Sequence, residues 1–214
     1  MQCIYALMQS KDESLQKQEK FLKVSIENTY TLYVVWLSLF VEIQKKAAEQ
    51  LSLSSKKYIA DAENGFVDKA RFVNNALLQQ LKNNQLLTET ISNRKLDNWY
   101  MNEEYVKLIY KEIIESNVYE DYMKQPQTDF AKDKQLVLDL FKGIIAPNDK
   151  IYEYFEDDKL TWVDDIPIVN TFILKQFKKA KEVSNDSFFL PKLLKDQEDM
   201  VFANDLLTKT LLKN

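Results

Sequence analysis

The chain has 214 residues, a net charge of −4, 45% hydrophobic and 29% charged residues, and only two Gly and four Pro. That balance describes a folded chain able to bury a sizeable core, and so few Gly and Pro argue for long helices over a sheet built on tight turns. Histidine is absent and Cys3 is the lone cysteine, which excludes Ser-His and Cys-His nucleophiles, the usual zinc ligand sets and an internal disulfide.

In chain order, Gln2 to Gln9 reads as the end of a helix, with Ile4, Tyr5 and Met8 at helical spacing and no cap before them. No basic start precedes this apolar stretch, so it is not a signal peptide, and the composition fits a cytoplasmic protein. Ser14 to about Leu51 predicts a long central helix. Leu22, Ile26, Tyr30, Tyr33, Leu37, Phe40, Ala47 and Leu51 share one face, and Val34, Val35, Trp36 and Leu39 cover the other. Its uncharged run, about fourteen residues between Glu27 and Glu42, is short of the roughly 20 needed to cross a bilayer. The expectation is the central helix of a bundle, with no membrane partner.

Leu53 to Gly65 is polar and loosely helical. Phe66 to Leu87 and Leu96 to Tyr122 predict two further helices, and Pro126 marks a break. A helix follows from Asp129 to Ile145, ended by Ala146-Pro147-Asn148, and a short one from Asp149 to Phe155. Asp164 and Asp165 before Ile166-Pro167 predict the start of another, which closes near Lys181 in a run of cations favoured by the helix dipole. After Pro191 a last helix is expected from Glu198 to Leu212. One stretch echoes another: Asp133 to Asn148 aligns without gaps on Asp199 to Asn214, with identities at Asp133/Asp199, Asp139/Asp205, Leu140/Leu206 and Asn148/Asn214. The fold class is therefore all-α, a helical bundle in a single domain, 1–214.

Two stretches carry a family resemblance. Gln2 to Ser10 (QCIYALMQS) looks like the first helix of the NusB transcription antitermination family, and LVLDLFKGIIAPNDKIYEYFED followed by WVDDIPIVNTFILKQF resembles that family's middle helices. On this likeness residues 1–10 are the end of the first helix, 11–125 an additional helical insertion holding the long central helix, and 126–214 the middle helices, incomplete. The family's Arg-rich leading segment and its closing helices have no counterpart here, so the chain reads as truncated at both ends. The resemblance implies an RNA-binding protein that pairs with the ribosomal protein NusE on boxA-type RNA in the transcription elongation complex. It implies neither cofactor nor catalysis.

Tyr5 matches a tyrosine that the family places near bound RNA, where a ring can stack on an unpaired base; the competing use is packing against the central helix. Gln2 matches a polar position one turn earlier, or is a solvated helix residue. Net charge gives no global attraction to nucleic acid, so RNA contact needs a local basic patch. Lys175, Lys178, Lys179 and Lys181 are the candidates for phosphates, against the plainer reading of a solvated last turn; Lys45-Lys46 carries the same two readings. Glu156-Asp157-Asp158 and Asp164-Asp165 are expected to cap or solvate, without metal-ligand spacing. Gly65 and Gly143 are isolated and form no phosphate-cradling loop. The alternative from another class is a helical protein–protein adaptor without RNA binding.

Overall fold

The computed structural model describes residues 15–57 and 70–191, with the single positions 201, 205 and 209. Ten helices and no strand occur among the described residues, so the all-α bundle is what forms. In chain order they are α1 (Leu15–Lys57), α2 (Ala76–Lys82), α3 (Gln85–Arg94), α4 (Asn98–Met101), α5 (Glu103–Ile114), α6 (Asn117–Lys124), α7 (Phe130–Leu140), α8 (Asp149–Asp158), α9 (Trp162–Lys179) and α10 (Asp186–Phe189). Between α7 and α8 a π-helical turn spans Phe141–Ile145, closed by Ala146 N–H on Phe141 O at 2.8 Å.

α1 is the axis of the bundle. It packs against α2, α3, α4, α5 and α9, and every residue from Thr31 to Val41 is buried. The helix is long and apolar enough to cross a membrane, and 56% of its apolar window is buried inside the bundle. Trp36, fully buried, meets the rings of Phe141 at 5.6 Å and Phe155 at 5.0 Å, both edge-on. Phe155 continues the cluster to Trp162 at 5.5 Å and Trp99 at 5.9 Å. Such edge-to-face pairs add about 0.5–1.5 kcal/mol each beyond the area they bury. Two of the three indoles also bond to α1: Trp99 Nε1 donates to Val35 O at 2.9 Å and Trp162 Nε1 to Asn28 O at 3.1 Å. Trp36 Nε1 has no hydrogen-bond partner among the described residues, and its ring is held by packing.

Polar residues hold a second set of helices. Asn75 opens α2, its Oδ1 accepting from Leu77 N–H and Leu78 N–H, both at 3.1 Å. Its Nδ2 donates to Asp133 O at 2.9 Å, and the Asp133 carboxylate accepts from Ala76 N–H at 2.7 Å and from the Tyr122 hydroxyl at 2.8 Å. Asn84 opens α3 in the same manner. It accepts from Leu87 N–H at 2.7 Å and donates to Asp186 O at 3.0 Å, and the Asp186 carboxylate accepts from Gln85 N–H at 3.1 Å. Arg71 donates to the carbonyls of Tyr122, Met123 and Gln125, closing the C-terminus of α6.

Several element boundaries differ from the sequence expectation. The expected helix Phe66–Leu87 is broken, because Asn75 and Asn84 each turn the chain into a new capped helix. The expected helix Leu96–Tyr122 is three pieces, interrupted at Asn102, whose backbone leaves the helical region, and at Ser116, whose Oγ caps α6 through Tyr119 N–H. α9 starts at Trp162, not at Asp164, and Pro167 lies in its second turn, where one helical donor is lost. The central helix runs on to Lys57, and α8 extends to Asp158. Gln2–Gln9, Gly65 and Phe66 lie outside the described residues. Of the expected Glu198–Leu212 helix only Val201, Asp205 and Lys209 are described, all helical.

Candidate nucleic-acid interface

α9 is built so that one face is fixed and the other is presented. Trp162, Ile166, Val169, Ile173 and Phe177 are buried, at spacings of three and four that make one stripe. Phe177 meets Phe40 at 5.1 Å and Phe141 at 6.4 Å, and near the other end the Thr29 hydroxyl donates to Asp165 Oδ2 at 2.9 Å. With the inner stripe held, Ile168, Lys175 and Lys179 line up outward and exposed, with Lys178 beside them, while Phe172 is partly exposed and lays its ring edge-on against Tyr33 at 5.1 Å.

Lys175, Lys178 and Lys179 therefore stand together on the last turns of α9, and Lys181 follows in the next loop, also exposed. None of the four makes an ion pair among the described residues. The loop is held by Gln80, whose Nε2 donates to the carbonyls of Lys181 at 2.9 Å and Glu182 at 2.7 Å. A fifth cation joins from α7: Lys134 Nζ donates to Lys178 O at 3.2 Å and Ala180 O at 3.1 Å. Lys134 thus caps the C-terminus of α9 and adds its charge to the cluster, although its donors are already engaged.

Sequence reasoning missed Lys134. Nothing local sets it apart from Lys132 two residues earlier, which bonds Gln127 O; its place beside the end of α9 comes from how α7 and α9 pack.

The other basic pair behaves differently. Lys45 bonds Glu42 at 2.6 Å, and Lys46 lies between Glu103 at 3.0 Å and Glu49 at 3.2 Å. The bond to Glu103 raises the Lys46 pKa, and the bond to Lys107, with that to Lys46, lowers that of Glu103. Both lysines are matched by carboxylates, which leaves little net charge to offer a phosphate. Tyr5, Gln2 and Cys3 lie outside the described residues.

Glu156, Asp157 and Asp158 are exposed at the end of α8, Asp164 and Asp165 lie in the first turn of α9, and no metal-holding cluster occurs among the described residues. Gly143 sits in the π turn, and a Cβ there would meet nothing within 4 Å. A cleft of about 180 Å³ lined by Ala47, Gln50, Phe72, Tyr110 and Tyr119, among others, offers no carboxylate or amine for acid–base work.

No family model, curated protein or solved structure matches the chain.

Proposed function

We propose that the protein is an RNA-binding factor of the NusB transcription antitermination kind, acting with the ribosomal protein NusE on boxA-type RNA in the elongation complex. It works by binding, without a catalytic step or cofactor. The observation that carries the RNA reading is the group Lys175, Lys178, Lys179 and Lys181, exposed, without an ion pair among the described residues and reinforced by Lys134. In a chain of net charge −4 that is a local concentration of positive charge, the kind of surface on which phosphates displace counterions. The choice of boxA RNA and NusE rests on the sequence likeness of the stretch that forms α7, α8 and α9, the helices on which this cluster stands.

Fluorescence anisotropy with a boxA-type RNA, at several salt concentrations and with and without NusE, tests the reading. Wild type is expected to bind more weakly as salt rises and more tightly with NusE. Lys175→Glu/Lys178→Glu/Lys179→Glu should lose about tenfold or more in affinity and flatten the salt slope by about one for each phosphate contact removed. Equal titrations for wild type and the triple variant would sink the assignment. A second reading, a helical adaptor that binds protein alone, is favoured by Ile168, which exposes apolar surface on the same face of α9 beside the partly exposed Phe172. It predicts NusE binding that RNA leaves unchanged.

A further inference from the structure

The lysine cluster stands at the end of a helix that ordinarily repels anions. The last carbonyls of a helix carry about half an elementary charge, negative in sign, and Lys178 and Lys179 belong to the last turn of α9. A phosphate brought to them meets that charge as well as the lysines, unless the carbonyls are engaged.

Side chains from two other helices engage them. Ala180 N–H turns back on Gln176 O at 3.0 Å and Phe177 O at 3.2 Å. The half-buried Lys134 of α7 donates to the next carbonyls, Lys178 O and Ala180 O, with its Nζ 5.5 Å from the ring centre of Phe130. Gln80 of α2, also half-buried, takes Lys181 O and Glu182 O. The Ser184 hydroxyl closes this turn, accepting from Lys181 N–H at 3.3 Å and donating to Lys181 O at 3.2 Å. The helices that supply Lys134 and Gln80 are themselves tied together. Asp133, the residue before Lys134, receives Ala76 N–H, and its carbonyl accepts from Asn75, the cap of α2. α2 and α7 thus form one jaw that grips the end of α9.

We infer that Lys134 and Gln80 are positioning residues for the cluster, an inference that rests on the RNA function proposed above. Lys134 sets a whole positive charge against the partial charge of the helix end, so the last turn of α9 presents net positive charge to a phosphate. Gln80 fixes the turn that carries Lys181, which is then already ordered when a phosphate arrives. Both side chains act through the carbonyls they hold, without touching phosphate themselves.

Anisotropy of the full chain with a boxA-type RNA, over a range of salt, tests this. Lys134→Met is expected to weaken binding about three- to fivefold, the size of one charge at a helix end. Its salt slope should change by less than about one half, because no phosphate contact is lost. Lys134→Arg keeps the charge and the donors and should bind within about twofold of wild type; so should Lys132→Met, which removes the same charge two residues away. Equal losses in Lys134→Met and Lys132→Met would reduce the effect to net charge and overturn the inference. A slope lowered by about one in Lys134→Met overturns it too, since Lys134 would then contact phosphate directly. No loss in Lys134→Met, beside a clear loss in Lys175→Glu/Lys178→Glu/Lys179→Glu, sinks the positioning role and leaves the RNA reading standing. Wild type that ignores RNA sinks both. Hydrogen exchange reads the grip without RNA: amides of residues 181–184 should exchange at least about threefold faster in Gln80→Leu. Unchanged exchange there removes Gln80 from the role.

Discussion

Asn75 and Asn84 open their helices in the same manner, each completed by an aspartate far along the chain, 58 residues away for Asp133 and 102 for Asp186. The two clasps differ in their access to water. Asp133 is 6% exposed and also receives the Tyr122 hydroxyl, whereas Asp186 is exposed at the start of α10. The same geometry therefore has different worth. At Asp186 water can replace a lost acceptor, while at Asp133 a lost acceptor leaves buried donors with nothing.

The largest expected effect is at Asp133. Asp133→Ala strands the Ala76 N–H and the Tyr122 hydroxyl, at about 1–3 kcal/mol for each stranded group. Denaturant unfolding should register a loss of about 2–4 kcal/mol, with Tm lower by roughly 5–15 °C. Asn75→Ala comes next, at about 2 kcal/mol, since it removes a buried cap and the bond that ties α2 to the Asp133 carbonyl of α7. Asn84→Ala, measured alongside, should cost about half as much.

Tyr122→Phe is expected to cost about 1 kcal/mol near neutral pH, and it also changes the response to alkali. Burial first, then the bond to Asp133, pushes the Tyr122 hydroxyl well above its ordinary pKa, and burial pushes Tyr119 and Tyr154 up to about 12. The folded chain holds these protons more tightly than the unfolded chain, whose tyrosines ionise near 10. Their contribution is therefore whole below about pH 10 and is lost as pH rises towards 12. Alkaline unfolding followed by tyrosinate absorbance should show that decline in wild type and a shallower one in Tyr122→Phe.

The smallest effect belongs to Asp186→Ala, about 0.5 kcal/mol or less. If it proves as costly as Asp133→Ala, burial is not what separates the two clasps.

What the sequence disclosed follows the range of the interactions concerned. α1 was legible because Thr31 to Val41 is apolar nearly all round and contains no Gly or Pro, a pattern only a buried helix satisfies. The helix breaks had a local sign that periodicity overrode: Asn74-Asn75-Ala76-Leu77-Leu78 and Asn83-Asn84-Gln85-Leu86-Leu87 repeat one capping pattern. The aspartates that complete those caps had no such sign, being distant in sequence. At α9, Pro167 suggested too late a start because Trp162 is held by Asn28 O, a partner 134 residues earlier. The cations of α9 were visible from spacing alone, whereas their union with Lys134 depends on how two helices cross.

The place of α1 at the axis also sets the order in which the protein can be made. Its tyrosine Tyr33 bonds a carbonyl 156 residues further on, and Trp36 waits for rings on the π turn and α8. At ribosomal speeds of about 5–20 residues per second, the axial helix spends roughly 10–30 s outside the tunnel before its last partners arrive. Local closure by α2 to α5 covers part of it in that interval, but the aromatic side stays open until α9 emerges. Nascent chains stalled before α7 should therefore present Trp36 and Phe40 to whatever holds unfinished proteins in the cell, and release them once α9 has docked.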